Sequence, residues 1–197
     1  MSTRLSAVER KGQLLAVALD VFARQGFHGT SMNEVADAAG VTKPVLYQHF
    51  PSKRHLYREL LAEVGGRLQD SIAKATRDAA TPREMVERGM VAYFRWVAND
   101  RDQFRLLFGG GARRDEEFAK DVQRVEASIA QTIAELIQAD IDPEHRRVLA
   151  YGIVGLAEGC IRQLVHTETE FDPDMLARQI ADMAWAGLRG VHRIDQL

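Results

Sequence analysis

Helical periodicity is the feature that most constrains the fold of this chain. Apolar residues recur every three or four positions along most of its 197 residues, and we find no segment with the two-residue alternation of a strand. In the first helical segment, Leu15, Leu19 and Phe22 share one face, and Gly26 is placed to end the helix. The sequence therefore predicts an all-α fold of about nine helices.

Helix start signals show where these helices begin. Ser31 and Glu34 have the spacing of a capping box. Thr42 can cap a short third helix, in which Pro44 is tolerated because the first turn makes no internal N–H bonds. Gly109–Gly111 is predicted to be a flexible joint. Further helices are predicted to start at Ser52, Thr81, Arg101, Asp115, Asp142 and Asp172.

Charge is distributed unevenly along the chain. The residues up to Leu60 have a balance of +3, and the remainder has a balance of −5, which together give the net charge of −2. A mildly basic head on an acidic body suits a protein that touches phosphate with one end. A random scatter of surface charge explains the same numbers equally well.

Several classes of protein lack support in this sequence. Cys160 is the only cysteine, which excludes an internal disulfide and a cysteine-based zinc cluster. There is no uninterrupted apolar stretch long enough to span a bilayer, and the polar start of the chain carries no apolar signal region. We therefore expect a cytoplasmic protein that does not contact the membrane.

Catalytic motifs are also missing from the sequence. Gly109–Gly111 is not followed by the Gly-Lys-Ser/Thr of a phosphate-binding loop, and neither Gly-x-Ser-x-Gly nor His-Glu-x-x-His occurs. The segment from His166 to Glu170 could hold a metal ion, but a solvated helix end is the better interpretation. We predict that the chain is not an enzyme and has no catalytic residue, metal or cofactor.

The second and third predicted helices have the layout of a helix-turn-helix with its turn at Gly40-Val41. Val35, Val41, Leu46 and Phe50 are spaced to pack inward. Lys43, Thr42 and Tyr47 can then bind phosphate oxygens, Gln48 a base edge and Val45 a thymine methyl group. Ser31 and Lys53, each at a helix start, would bracket the groove. The outward-facing residues are Lys43, Pro44, Val45, Tyr47 and Gln48.

The spacing of these residues resembles the DNA-binding domain of the TetR family. The resemblance covers about Lys11 to Leu60 and lies in the runs Gly26–Ser31, Val35–Lys43 and Leu46–Lys53. It implies phosphate contacts at Thr30, Ser31, Thr42, Tyr47 and Lys53 and base contacts at Lys43, Pro44, Val45 and Gln48. His49 could touch phosphate or cap the following helix. Pro44 departs from the family pattern, in which a small residue is common, and it removes a backbone N–H from the groove-facing end.

The helix predicted from about Pro143 to His166 is apolar on all sides and must be covered on all sides. Gly155 and Gly159, one turn apart, would let another helix approach closely. A monomer with a deep core is the alternative to a dimer. The resemblance implies a four-helix dimer interface, which would let two recognition helices read a palindrome with half-sites ~34–36 Å or more apart. The predicted interface residues are Ile153, Leu156, Gly159, Leu164, Met183, Trp185 and Leu188.

Large side chains in the middle helices form either a plain core or a ligand pocket. The resemblance implies an effector cavity, lined mainly by apolar groups. Four arginines, Arg95, Arg105, Arg113 and Arg114, could meet an anionic end of the ligand, although solvated arginines are the simpler interpretation. The candidate pocket residues are Phe94, Trp96, Phe104, Leu107, Phe108, Phe118, Val122 and Ile129.

Residues 43–50 and 104–108 look like those of actinobacterial regulators of fatty-acid metabolism, which points to a fatty acyl-CoA effector. We predict a helix-turn-helix DNA-binding domain over residues 8–55 and an effector-binding and dimerisation domain over 56–197. The predicted function is a homodimeric, ligand-responsive repressor that binds double-stranded operator DNA. A helical ligand carrier or interaction protein without DNA binding is the alternative.

Overall fold

The structure, a computed structural model, describes residues 6–109 and 111–191. Gly110, in the predicted joint, and the side chain of Arg113, a candidate for an anionic ligand, lie outside the described residues. The described residues form helices and no strand, and one of the helices, α7, is a single turn, so the prediction of an all-α fold with about nine helices is confirmed. The helices are α1 Ala7–Gly29, α2 Met32–Ala38, α3 Lys43–His49, α4 Lys53–Thr76, α5 Pro82–Asn99, α6 Arg101–Phe108, α7 Gly111–Arg114, α8 Ala119–Leu136, α9 Pro143–His166 and α10 Pro173–Leu188.

Helix α1 begins earlier than expected and is interrupted where expected. Ser6 and Glu9 form a capping box, whose Ser-x-x-Glu spacing is readable in the sequence. Gly26 has a φ of 70° and a ψ of 174°, a conformation that glycine adopts at no steric cost. The regular helix therefore ends at the predicted glycine, and one further turn precedes Thr30.

Most of the predicted helix starts are confirmed by hydrogen bonds. The hydroxyls of Ser52 and Thr81 accept from the backbone N–H groups of His55 and Glu84, both at 3.1 Å. Asp142 and Asp172 cap α9 and α10 in the same way. Thr42 occupies the N-cap position of α3, but its side chain makes no capping hydrogen bond, so the predicted cap is wrong.

Helix α8 is shorter than predicted at both ends, running from Ala119 to Leu136 instead of from Asp115 to Ala139. Asp115 begins a separate turn, in which its carboxylate accepts from the Glu117 N–H at 2.9 Å and its carbonyl from the Phe118 N–H at 3.1 Å. The aspartate bonds to its own neighbouring backbone, as this residue commonly does outside helices. The sequence pattern does not separate such a turn from a first helical turn.

The chain divides into two compact units. The first contains the described residues up to Val64 together with Asp102–Val122. Its centre is an aromatic cluster, in which the Phe118 ring lies 4.5 Å from Phe27 and 4.7 Å from Tyr57, and Tyr57 lies 4.9 Å from Phe22. Burial raises the pKa of Tyr57 to about 12. The segment around Phe118 is therefore part of the same core as helices α1 and α4.

Ion pairs surround this aromatic cluster. His28 Nε2 lies 2.6 Å from an Asp115 carboxylate oxygen, and this hydrogen bond lowers the pKa of Asp115. Arg58 lies 2.7 Å from Asp121, and Arg54 pairs with Glu117. Each pair joins the segment that holds Phe118 to the end of α1 or to the start of α4.

The second unit contains Gly65–Arg101 and the described residues from Gln123 onward. Within it, α5 packs mainly against α10. Arg95 binds both carboxylate oxygens of Asp174 at 2.7 Å, and Arg83 lies 2.9 Å from Asp182. Phe94 is fully buried in this unit. The small buried residues of α10, Ala177, Ala181 and Ala184, allow close packing.

Helix α9 is an exception to the prediction that no segment of the chain is long and apolar enough to span a bilayer. It is long and apolar enough to cross a bilayer, judged by length and composition. Within this chain, 28% of its most apolar 18-residue window is buried. A helix that a second protein surface covers passes the same test, so this finding by itself does not indicate a membrane span.

Candidate nucleic-acid interface

Helices α2 and α3 form a helix-turn-helix whose predicted inner residues are buried except Val41, which is half-buried. Val35, Leu46 and Phe50 have no exposed surface. Gly40, with a φ of 64°, makes the turn, after which the Val41 N–H donates to the Ala36 carbonyl at 3.0 Å. The inner packing and the turn together fix which side of α3 faces outward.

The outer face of α3 carries the polar groups expected from the sequence. Lys43, Pro44, Tyr47 and Gln48 are exposed, and 40% of the Tyr47 surface is accessible. The Lys43 ammonium lies 5.9 Å from the centre of the Tyr47 ring. Thr42 is exposed, and Val45 and His49 are half-buried. This face therefore presents a cation, two hydroxyls and an amide to a ligand.

Ser31, at the start of α2, forms the predicted capping box. Its hydroxyl oxygen accepts from the Glu34 N–H at 3.2 Å, and its own N–H donates to the Glu34 carboxylate at 2.7 Å. Hydrogen bonds from Ser31 lower the pKa of Glu34. Ser31 is exposed, so its hydroxyl proton remains available to an acceptor outside the chain.

Thr30 and Lys53 make contacts that the sequence did not indicate. Thr30 is 2% exposed, and its hydroxyl donates to the Gly26 carbonyl at 2.9 Å. The Lys53 ammonium donates to the carbonyls of Phe27 and Thr30 at 2.8 and 2.7 Å. Since the Thr30 hydroxyl is buried and bonded, we place this residue outside the DNA-contacting set. The Phe27 and Thr30 carbonyls are separated from Lys53 by more than 20 residues, so no local pattern reveals the contact.

The candidate pocket residues are all buried but are divided between the two units. Phe104, Leu107, Phe108, Phe118 and Val122 belong to the first unit, and Phe94, Trp96 and Ile129 belong to the second. Burial is expected of a plain core and of a pocket wall alike, so a pocket stays a prediction. Arg95 is paired with Asp174 and Arg105 with Asp102, and Arg114 is exposed.

Helices α9 and α10 carry large exposed apolar side chains, which we call the α9–α10 apolar surface. It consists of Val148, Tyr151, Met175 and Met183, which are 45% to 60% exposed. A Cβ atom added at Gly152, Gly155 or Gly159 would meet no atom within 4 Å. Of the other predicted interface residues, Ile153, Leu156, Leu164, Trp185 and Leu188 are half-buried. No group of three or more His, Cys, Asp or Glu in the described part of the chain is arranged to hold a metal ion.

A small helical unit that buries one face of two short helices and exposes polar groups on the second is the architecture of helix-turn-helix DNA-binding proteins. Residues 14–60 match the family described as "Bacterial regulatory proteins, tetR family", and residues 82–187 match "Tetracyclin repressor-like, C-terminal domain". The chain belongs to the tetR family of bacterial transcription regulators.

Individual relatives agree with this assignment. The chain is 32% identical over 190 residues to "HTH-type transcriptional activator FasR" of Mycolicibacterium smegmatis, covering 95% of this chain and 87% of FasR. A TetR-like regulator from Rhodococcus sp. RHA1 has a TM-score of 0.76 at 28% identity, covering 95% and 100% of the two chains. FadR from Bacillus subtilis, solved in complex with stearoyl-CoA, has a TM-score of 0.77 at 17% identity, covering 92% and 99%, and shows a shared fold.

The two N-cap residues of the helix-turn-helix provide a matched test of local stability. Ser31→Ala removes a capping hydrogen bond and should lower the free energy of unfolding by about 1 kcal/mol. Thr42→Ala removes a hydroxyl that makes no cap and should change it by less than ~0.5 kcal/mol. Urea denaturation at one protein concentration measures both. Equal losses would contradict the difference in capping.

Proposed function

We propose that this chain is a TetR-type regulator that binds a palindromic operator as a homodimer and changes its DNA affinity when an apolar effector binds. The observation that carries the proposal is the exposed face of α3, with Lys43, Tyr47 and Gln48 on one side of a helix whose opposite side is buried. We assign DNA binding to residues 8–55 and effector binding and dimerisation to 56–197. The protein would act in the cytoplasm and catalyse no reaction.

The proposed DNA contacts follow from the chemistry of the exposed groups. Hydroxyls of Ser31, Thr42 and Tyr47 would donate to phosphate oxygens. Lys43 supplies a cation for phosphate or for guanine, and Gln48 can hydrogen-bond both adenine edge groups. Val45 and Pro44 add apolar surface for a thymine methyl group, and the half-buried His49 is a further candidate for a phosphate contact.

DNA binding is tested with genomic fragments and a gel shift on the captured DNA. We expect tight, salt-sensitive binding by the full chain. Tyr47→Ala should weaken it at least tenfold, since it removes a phosphate contact and the ring beside Lys43. The control is Lys74→Ala, at an exposed lysine of the second unit that lies outside both proposed interfaces. No shift at low salt would instead favour a ligand carrier without DNA binding.

Dimerisation is supported by the α9–α10 apolar surface. Four large apolar side chains exposed on two neighbouring segments of the chain would supply the apolar area that a partner covers, and the three open glycines of α9 would let a second helix approach closely. Dimerisation also has a functional reason, because one short recognition helix reads too few base pairs for specific binding. The second copy of this chain would supply a second exposed α3 face for the other half of the operator.

Substitution at an open glycine separates dimerisation from folding. Gly159 is exposed, and a Cβ atom added there would meet no atom within 4 Å, so Gly159→Leu should still form the helix, but its larger side chain should hold a partner helix away. We expect a shift from dimer to monomer at micromolar concentration, measured by sedimentation. Gly66→Leu, at another helical glycine with open space around it, is the control. A dimer of unchanged affinity in Gly159→Leu would contradict the proposed interface.

A fatty acyl-CoA is the effector that we propose. The B. subtilis FadR was solved with stearoyl-CoA, which supports this ligand class. The ligand would favour one of two arrangements of the helix-turn-helix domains in the dimer. It can do so only by binding the two arrangements with unequal affinity. We keep the sequence-based proposal of repression. The name of the FasR relative favours activation as a second candidate.

The same gel shift decides the effector and the sign of its action. Stearoyl-CoA added to the operator complex should change the DNA affinity at least tenfold, and coenzyme A alone should not. Release of DNA fits ligand-relieved repression, and tighter binding fits ligand-dependent activity. Unchanged affinity at saturating stearoyl-CoA would eliminate this ligand.

A further inference from the structure

Lys53 is the first residue of α4 and is placed against the end of α1. Its ammonium donates to the carbonyls of Phe27 and Thr30 at 2.8 and 2.7 Å, and it lies 4.3 Å from the centre of the Phe27 ring. A cation at the start of its own helix is disfavoured by the helix dipole, whereas a cation at the carbonyl end of another helix is favoured. The contact with α1 therefore explains why a lysine is stable here.

The carbonyls that Lys53 binds belong to the turn that joins α1 to α2. Thr30 follows the last residue of α1 and precedes Ser31, the N-cap of α2. The turn is further held by the bond from the Thr30 hydroxyl to Gly26 and from the Thr30 N–H to the Phe27 carbonyl at 3.4 Å. Lys53, which follows the turn between α3 and α4, is therefore bonded to Thr30, which precedes the N-cap of α2.

This arrangement encloses the helix-turn-helix between two bonded ends. The segment from Thr30 to Lys53 contains α2, its turn and α3, and the ammonium closes it with a charge-assisted hydrogen bond. The Glu34 carboxylate also lies close enough for the Lys53 charge to act on it. Two of the three N–H groups of the ammonium are therefore bonded to acceptors of its own chain.

We propose that Lys53 is a positioning residue, which sets the orientation of the recognition helix from inside the protein instead of neutralising a phosphate. The proposal rests on the proposed DNA binding and specifies how one residue contributes to it. Its effect on DNA affinity acts through the α1–α2 turn. It is therefore independent of the number of counterions that binding releases.

The salt dependence of DNA binding distinguishes positioning from phosphate contact. Each phosphate contact adds about 0.9 to the slope of log K against log salt. Lys53→Met should weaken operator binding at least tenfold with the slope unchanged. Lys43→Met, on the exposed face, should reduce the slope by about 0.9 per chain. Lys74→Met, an exposed lysine of the second unit, is the control that should change neither value.

A slope reduced by about 0.9 per chain in Lys53→Met would overturn the proposal, as would wild-type affinity. Lys53→Gln guards against a variant that does not fold, because it keeps an N–H donor on a shorter, uncharged side chain. We expect its affinity between those of wild type and Lys53→Met, with the wild-type slope. A reduced slope in Lys53→Gln also overturns the proposal.

Hydrogen exchange tests the positioning role without DNA. In the full-length protein alone, Lys53→Met should speed exchange in the peptide over residues 26–35 at least fivefold, because the turn loses two of its bonds. Exchange in α10 should not change. Unchanged exchange over residues 26–35 would contradict the proposal. If the wild type binds no DNA, the proposed function fails, and this measurement still decides whether Lys53 holds the turn.

Discussion

The orientation of α3 depends on the burial of Val35, Leu46 and Phe50, which have no exposed surface. A helix of seven residues is too short to be stable in isolation, so this packing holds it in place. The opposite face then points outward with Lys43, Tyr47 and Gln48. The proposed reading of DNA is thus a consequence of apolar packing on the side that does not face DNA.

The packing of the first unit extends beyond the helix-turn-helix. Phe118 lies far along the chain, yet its ring contacts Phe27 and Tyr57, and ion pairs of Asp115, Glu117 and Asp121 surround it. The segment that carries these residues belongs to the same compact unit as α1 and α4. Phe118, which is predicted to line a pocket, therefore packs in the core of the unit that contains the helix-turn-helix. That unit is made of two separate segments of the sequence.

The two compact units differ in where they expose apolar side chains. In the first unit Phe22, Tyr57 and Phe118 are buried and Tyr47 is exposed on the proposed DNA-binding face, whereas α9 and α10 leave four large apolar side chains exposed, Val148, Tyr151, Met175 and Met183. Apolar surface that a chain does not bury itself is commonly covered by a partner. We propose a second copy as that partner, because a dimer also supplies the second recognition helix that an operator requires.

The sequence by itself determined most of the helices, the caps at Ser31, Ser52 and Thr81, the break at Gly26 and the exposure of Lys43, Pro44, Tyr47 and Gln48 on α3. These features depend on spacing within one or two turns, which the sequence records directly. Tertiary structure decided which groups remain available. It buried the Thr30 hydroxyl, bonded Lys53 to the end of α1 and left Thr42 without a capping bond. Those contacts join residues that are distant in the chain or depend on the direction of a side chain. A local sequence pattern records neither the distant neighbours of a residue nor the direction of its side chain.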